Sequence, residues 1–178
     1  MGKKFKLGVA ALSTLGIASV MTMSYAPTAA AASTKPVEGG NITLDFGQAI
    51  RDLDPAREYD TQSNEVVSQL YDQLVTWQQG GGVKVVPMAA KSWTVSKNGL
   101  VYTFQLHPGM TFWNGDKVTA QSFIDEIERV MNPKVGSPGS GFYTIIKGAS
   151  DYASGKAKTI SGLKAPNPLT LQITLTKP

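Results

Sequence analysis

The stretch from Val86 to Phe123, VPMAAKSWTVSKNGLVYTFQLHPGMTFWNGDKVTAQSF, constrains the fold more than any other part of this chain. Trp93, Thr94 and Val95 form a short β-prone run, and Lys97-Asn98-Gly99 follows it. Leu100, Tyr102, Phe104 and Leu106 then alternate with Val101, Thr103, Gln105 and His107. That period of two belongs to a strand with one apolar face. An Asn-Gly between two such runs predicts a hairpin with a type I′ turn, in which both central residues take φ > 0. A second Asn-Gly, Asn114-Gly115, comes after Phe112-Trp113. Thr119 is then placed to cap a helix that opens with Ala120-Gln121-Ser122-Phe123. Strand, turn, strand, turn and capped helix follow from these residues alone.

The flanking regions carry weaker but readable patterns. Ile42, Leu44 and Phe46 alternate over Asn41 to Phe46 and predict a strand. Pro55 turns Asp54 away from helical geometry, so the next helix must begin later. Val66, Val67, Leu70, Tyr71 and Leu74 recur at three- and four-residue steps, predicting a helix from Ser63 or Asn64 to about Leu74. Gly80-Gly81-Gly82 reads as a turn between Val75-Thr76-Trp77 and Val83 to Val86, because the Lys-Ser/Thr and helix of a phosphate loop do not follow it. The helix from Ala120 to Met131 places Phe123, Ile124, Ile127, Val130 and Met131 on one face. Asp125, Glu126 and Glu128 fall elsewhere and are expected on its solvated side. Asn132-Pro133 ends that helix, and Gly136 to Gly141 is a loop. Phe142, Ile145, Ile146, Ala149 and Tyr152 suggest a short helix ending near Gly155. Leu169, Leu171, Ile173 and Leu175 alternate with Thr170, Gln172 and Thr174 in a half-buried strand.

Catalytic chemistry is missing from these patterns. The single histidine, His107, lies at a strand end before Pro108-Gly109, with no nucleophile or orienting partner nearby in sequence. One histidine and no cysteine make a zinc site built by this chain improbable. Asp52 and Asp54 sit in a loop, where Asp is a turn former. No catalytic residue, metal ligand or cofactor is expected.

Several ordered pieces together resemble the family 5 extracellular solute-binding proteins, the peptide-binding subunits of ABC importers. They are Pro87 to Trp93, Tyr102 to Leu106, Phe112 to Gly115, Thr119-Ala120, Leu53-Asp54-Pro55 and Val67 to Val75, with Gly148 to Tyr152, Gly155 to Lys158 and Ile160 to Leu163 continuing the pattern. The resemblance covers about residues 41–178, with His107 where the family usually has Arg and Ser122 where it usually has Asp. It implies an α/β fold, locally α+β, of the periplasmic-binding-protein-like type II class with its large peptide-binding elaboration. On that reading residues 33–62 are a lead-in and the first strand-loop of lobe I, and residues 63–178 most of the extra α+β domain. Family members are several times longer, so the chain is expected to be an N-terminal portion lacking the second lobe.

The resemblance also implies a function: non-catalytic capture of a peptide for an ABC-type import system, with permease subunits as partners. Oligopeptide, dipeptide, nickel chelate and oligosaccharide all remain open as ligands. The alternative is a free-standing extracellular interaction module on the same scaffold. In the family the loop after Leu-Asp-Pro touches the ligand, which maps to Tyr59, Asp60 and Thr61. Asp60, Thr61 or Ser63 could equally cap the following helix, and both roles are compatible. An aromatic after Asn-Pro contacts ligand in some relatives, which points to Phe142 or Tyr143, with core packing as the other reading.

The N-terminus predicts export. Lys3, Lys4 and Lys6 precede a mostly apolar run from Leu7 to Met23, and Ala29 to Ala32 offers cleavage after Ala31 or Ala32. Gly8, Gly16 and several hydroxyl residues weaken that run as a membrane span. Removing residues 1–32 takes three lysines from a chain with 17 basic and 13 acidic residues. The remainder is nearly neutral, so nothing favours nucleic acid; the resemblance implies that the membrane is reached only through the transporter. With no cysteine there is no lipid attachment through Cys, and the chain is expected to be released into a periplasm or cell-wall space, or retained there by something other than a lipid.

Overall fold

The computed structural model describes residues 39–45 and 47–178. Residues 1–32, expected from the sequence to be a signal peptide, lie outside them. Residues 44–178 form one compact unit. Its order is α1 (Thr61–Leu70), β1 (Val75–Trp77), β2 (Val85–Pro87), β3 (Ala90–Val95), β4 (Val101–Leu106), α2 (Ala120–Met131), a 3₁₀ turn (Ser140–Tyr143), α3 (Ala149–Ala153), β5 (Leu163–Asn167) and β6 (Thr170–Thr174). Among the described residues no helix is long and apolar enough to cross a membrane.

The core is an antiparallel sheet in the order β3-β4-β6-β5 with α2 packed on one face. Alternation decides which side chains meet. Phe104 pairs with Leu171 and Tyr102 with Ile173, so the apolar residues of β4 and β6 share a face. Leu106 and Leu171 are fully buried there, against Ile124, Ile127 and Met131 of α2. Polar partners sit between them in register: Thr170 Oγ1 lies 3.1 Å from Gln105 Oε1, and Gln172 Nε2 lies 3.4 Å from Thr103 Oγ1. The edge strand β5 was not foreseen, because Pro166 argues against a strand interior; an edge tolerates the missing N–H. β1 and β2 pair separately, with Gly80-Gly81-Gly82 in the turn between them.

α2 matches its expected limits. The Ser122 hydroxyl accepts from the Thr119 N–H at 3.1 Å, so serine supplies the reciprocal arm of a capping box where an acidic residue is usual. Glu128 corrects the expectation of a purely solvated acidic side. Its Oε1 accepts the Ile160 N–H at 2.9 Å and fixes the chain entering β5.

Five other expectations change. Residues 41–45 are exposed and not in a strand, with Ile42 at 88% and Leu44 at 71% exposure; Phe46 lies outside the described residues. An alternating segment becomes a strand only when a partner accepts its hydrogen bonds, and none does so here among the described residues. α1 starts at Thr61 and stops at Leu70. The Gln73 and Leu74 carbonyls instead accept from Ala89 and Ala90, both at 2.9 Å, which holds residues 73–74 extended. Of the expected apolar face Val67 is buried, whereas Leu70 and Tyr71 are exposed.

The turns differ as well. In both Asn-Gly pairs only the glycine has positive φ, Gly99 at 71° and Gly115 at 89°. The Gly99 N–H donates to Ser96 O and the Gly115 N–H to Phe112 O, so each Asn is the second central residue of a turn followed by a left-handed glycine. That is the longer type I loop with a bulge, not the two-residue I′ turn. Asn98 Oδ1 accepts from both Ser96 Oγ and the Leu100 N–H, which holds Asn98 out of the left-handed region. Finally, the helix expected from Phe142 is split into the 3₁₀ turn and α3. Ile146 bridges Leu175, and left-handed Gly148 (φ 82°) restarts the helix.

Candidate functional site

The segment from Arg51 to Asn64 takes its shape from short polar contacts. Ser63 is fully buried, and its Oγ accepts from the Arg51 and Asp52 N–H groups at 3.1 and 3.3 Å. Asp54 Oδ1 accepts from the Ala56 N–H at 3.0 Å, and Asp54 O accepts from Arg57 and Glu58. Asp60 caps α1 by accepting the Ser63 N–H at 2.9 Å, which lowers its carboxyl pKa. Glu58 Oε1 accepts from Asn64 Nδ2 at 3.1 Å.

One long-range contact fixes this segment to the core layer. Arg129 on α2 grips both oxygens of Asp54, Nη1 to Oδ1 at 2.7 Å and Nη2 to Oδ2. The paired guanidinium holds Asp54 below the ordinary carboxylate range and raises Arg129 further. Glu126, 3.6 Å from Arg129, is pushed upward because burial outweighs that attraction. Burial likewise raises the Tyr143 phenol, with the Glu126 charge adding to it.

These anchors place Tyr59 outward against Phe142, which the 3₁₀ turn presents from the other side. The rings stack with centroids 6.3 Å apart and 29° between planes. Below and beside them lies a cleft of about 440 Å³. All five residues singled out from the sequence, Tyr59, Asp60, Thr61, Phe142 and Tyr143, line it. Glu58, Asn64 and Ser137 also line it and were not foreseen, because nothing local in sequence links them. Both sides of the earlier alternatives have a counterpart here: Asp60 caps α1 while facing the cleft, and Tyr143 packs on the core while Phe142 stays 70% exposed.

The cleft offers aromatic faces, hydroxyls, an amide and carboxylates, which suit holding a ligand. His107 stands apart at the end of β4, exposed, its N–H donating to Ala89 O. Among the described residues no group of three or more His, Asp or Glu is placed to hold a metal ion.

The family model for bacterial extracellular solute-binding proteins, family 5 (middle), matches residues 84–178. The chain belongs to this family. Its members are non-catalytic binding proteins. A dipeptide-binding protein of Lactococcus lactis is 31% identical over 165 residues, covering 92% of this chain and 30% of that protein. The probable deoxycholate-binding periplasmic protein YgiS of Escherichia coli is 33% identical, covering 71% of this chain and 24% of its own length. The solved murein tripeptide-binding protein MppA of Escherichia coli superposes with a TM-score of 0.65 at 33% identity, over 71% of this chain and 25% of that one. The family 5 chain described here thus spans between about a quarter and a third of these relatives.

Proposed function

We propose that this chain is the N-terminal part of the substrate-binding component of an ABC-type peptide importer, and that its cleft is one wall of the ligand site. The observation that carries this is the meeting of Tyr59, Asp60 and Thr61 with Phe142 and Tyr143, from segments about eighty residues apart, around one cleft. Relatives named for dipeptides and oligopeptides support it, among them a Haemophilus influenzae structure in complex with the peptide RPPGFSPFR. On this reading residues 33–62 contribute the strand-loop entry of lobe I and residues 63–178 most of the extra α+β domain of a type II binding fold. A second lobe closes over an extended peptide, whose backbone is held by β-like hydrogen bonds. The chain works outside the cytoplasmic membrane, delivered by the signal peptide of residues 1–32, without a cysteine-linked lipid, and hands its ligand to permease subunits.

NMR titration of the isotope-labelled chain with short peptides tests this. One wall alone should bind at roughly millimolar strength, about 4 kcal/mol, with shifts confined to Tyr59–Thr61 and Phe142–Tyr143. Saturable shifts elsewhere, or none at the cleft, contradict the site. Deoxycholate is the informative competitor, given the name of the Escherichia coli relative. Tighter cleft binding of the bile acid than of any peptide would overturn the peptide reading while keeping the site.

A further inference from the structure

The two Asn-Gly turns have the same local build but different surroundings, and Asn-Gly is chemically special. Glycine offers the least steric hindrance to attack by its own nitrogen on the preceding side-chain amide. The turn at Asn98 is embedded in the sheet. Val95 pairs with Tyr102 beside it, the Leu100 carbonyl accepts from Leu175 N at 2.8 Å, and Pro178 packs against Gly99. The turn at Asn114 has no such support. Its hydrogen bonds from Phe112 to Asp116 all close within the turn, only an isolated bridge joins Thr111 to Lys117, and every residue from Thr111 to Lys117 is exposed.

We propose that Asn114 is a site of spontaneous deamidation and that the fold spares Asn98. In both turns the glycine N–H is tied to a carbonyl, Gly115 to Phe112 O at 3.0 Å and Gly99 to Ser96 O at 2.9 Å, so reaction requires the turn to open. Opening costs less where few contacts outside the turn are lost. The Gly115 nitrogen, its proton lost to solvent base, forms a bond to Asn114 Cγ. The Cγ–Nδ2 bond breaks and ammonia leaves with a solvent proton, giving a five-membered succinimide. One water then opens either ring carbonyl, yielding aspartate or isoaspartate; no oxidant or reductant takes part. The product undoes the turn's own bonding, because the new carboxylate replaces an amide that donates to Asp116 Oδ2 at 2.7 Å. Two carboxylates then face each other and the turn loosens.

Ageing the purified chain in mildly alkaline buffer, followed by peptide mapping with isoaspartate-sensitive fragmentation, tests this. Asn114 should convert about tenfold faster than Asn98 in the folded chain, and the two should react at similar rates in denaturant. Asn114→Gln should remove the isoaspartate signal at this turn and leave the rate at Asn98 unchanged. Equal folded rates, faster reaction at Asn98, or no conversion at Asn114 while the denatured chain reacts would each overturn the proposal.

Discussion

The sheet with α2 and the segment from Ile50 to Tyr71 are held by different kinds of force. In the first, Ala90, Leu106, Ala120 and Leu171 are fully buried and the shape follows from apolar alternation. In the second, only Ala56, Ser63 and Val67 are buried, while Ile50, Leu53, Leu70 and Tyr71 remain exposed. Ser63, Asp54 and Asp60 set its shape through directed hydrogen bonds. The difference teaches where the fold is robust and where it is adjustable. The scaffold spreads its stabilisation over many contacts, and the wall of the cleft depends on a few polar side chains. Binding regions are commonly drawn from the less stable parts of a domain.

The contrast is sharpened by substitutions on each side. Leu106→Ala should show the largest effect, a loss of about 3 kcal/mol in denaturant melts, because it leaves a cavity at the centre of the sheet. A loss under about 1 kcal/mol would mean that the core is not where alternation places it. Ser63→Ala should cost about 2 kcal/mol, since two backbone donors lose their acceptor in a buried place. Hydrogen exchange should then rise at Arg51 and Asp52 and stay unchanged in β4; exchange rising equally in both would erase the distinction between the regions.

Arg129→Ala should cost least, about 1 kcal/mol or less, because the Asp54 pair is partly exposed. Its signature is in the pH profile. Asp54 is held below its ordinary value of 3.8, so its contribution is complete above that value and disappears as pH falls through the lower folded value. Glu126 works in the opposite sense: its raised value makes its charge a small cost to folding once pH exceeds both values. The variant should therefore lose less stability than the parent between mildly and strongly acid pH. Identical acid limbs in urea titrations would show that the pair contributes nothing.

Legibility in the sequence followed the same division. β4, β6 and α2 were readable because burial imposes periods of two and 3.6 on consecutive residues, and Thr119 marks the start of α2. The cleft residues Tyr59 to Thr61 and Phe142 to Tyr143 came from a resemblance, and no periodicity points to them. The grip of Arg129 on Asp54 spans 75 residues and leaves no local trace. The early stop of α1 was hidden for a related reason: the hydrogen bonds taken up by Gln73 and Leu74 come from Ala89 and Ala90, and an amphipathic pattern reports faces without reporting competitors. The turn type at Asn98 was misread because Asn-Gly serves both I′ and bulged type I loops, and only the Ser96 and Leu100 contacts distinguish them.

The central claim is that the cleft is one wall of a ligand site that a second lobe completes. Titration calorimetry of purified residues 33–178 with a short peptide tests it most directly. The account predicts no saturable heat at micromolar concentrations, and stoichiometric nanomolar binding, roughly 12 kcal/mol from this wall alone, would contradict it.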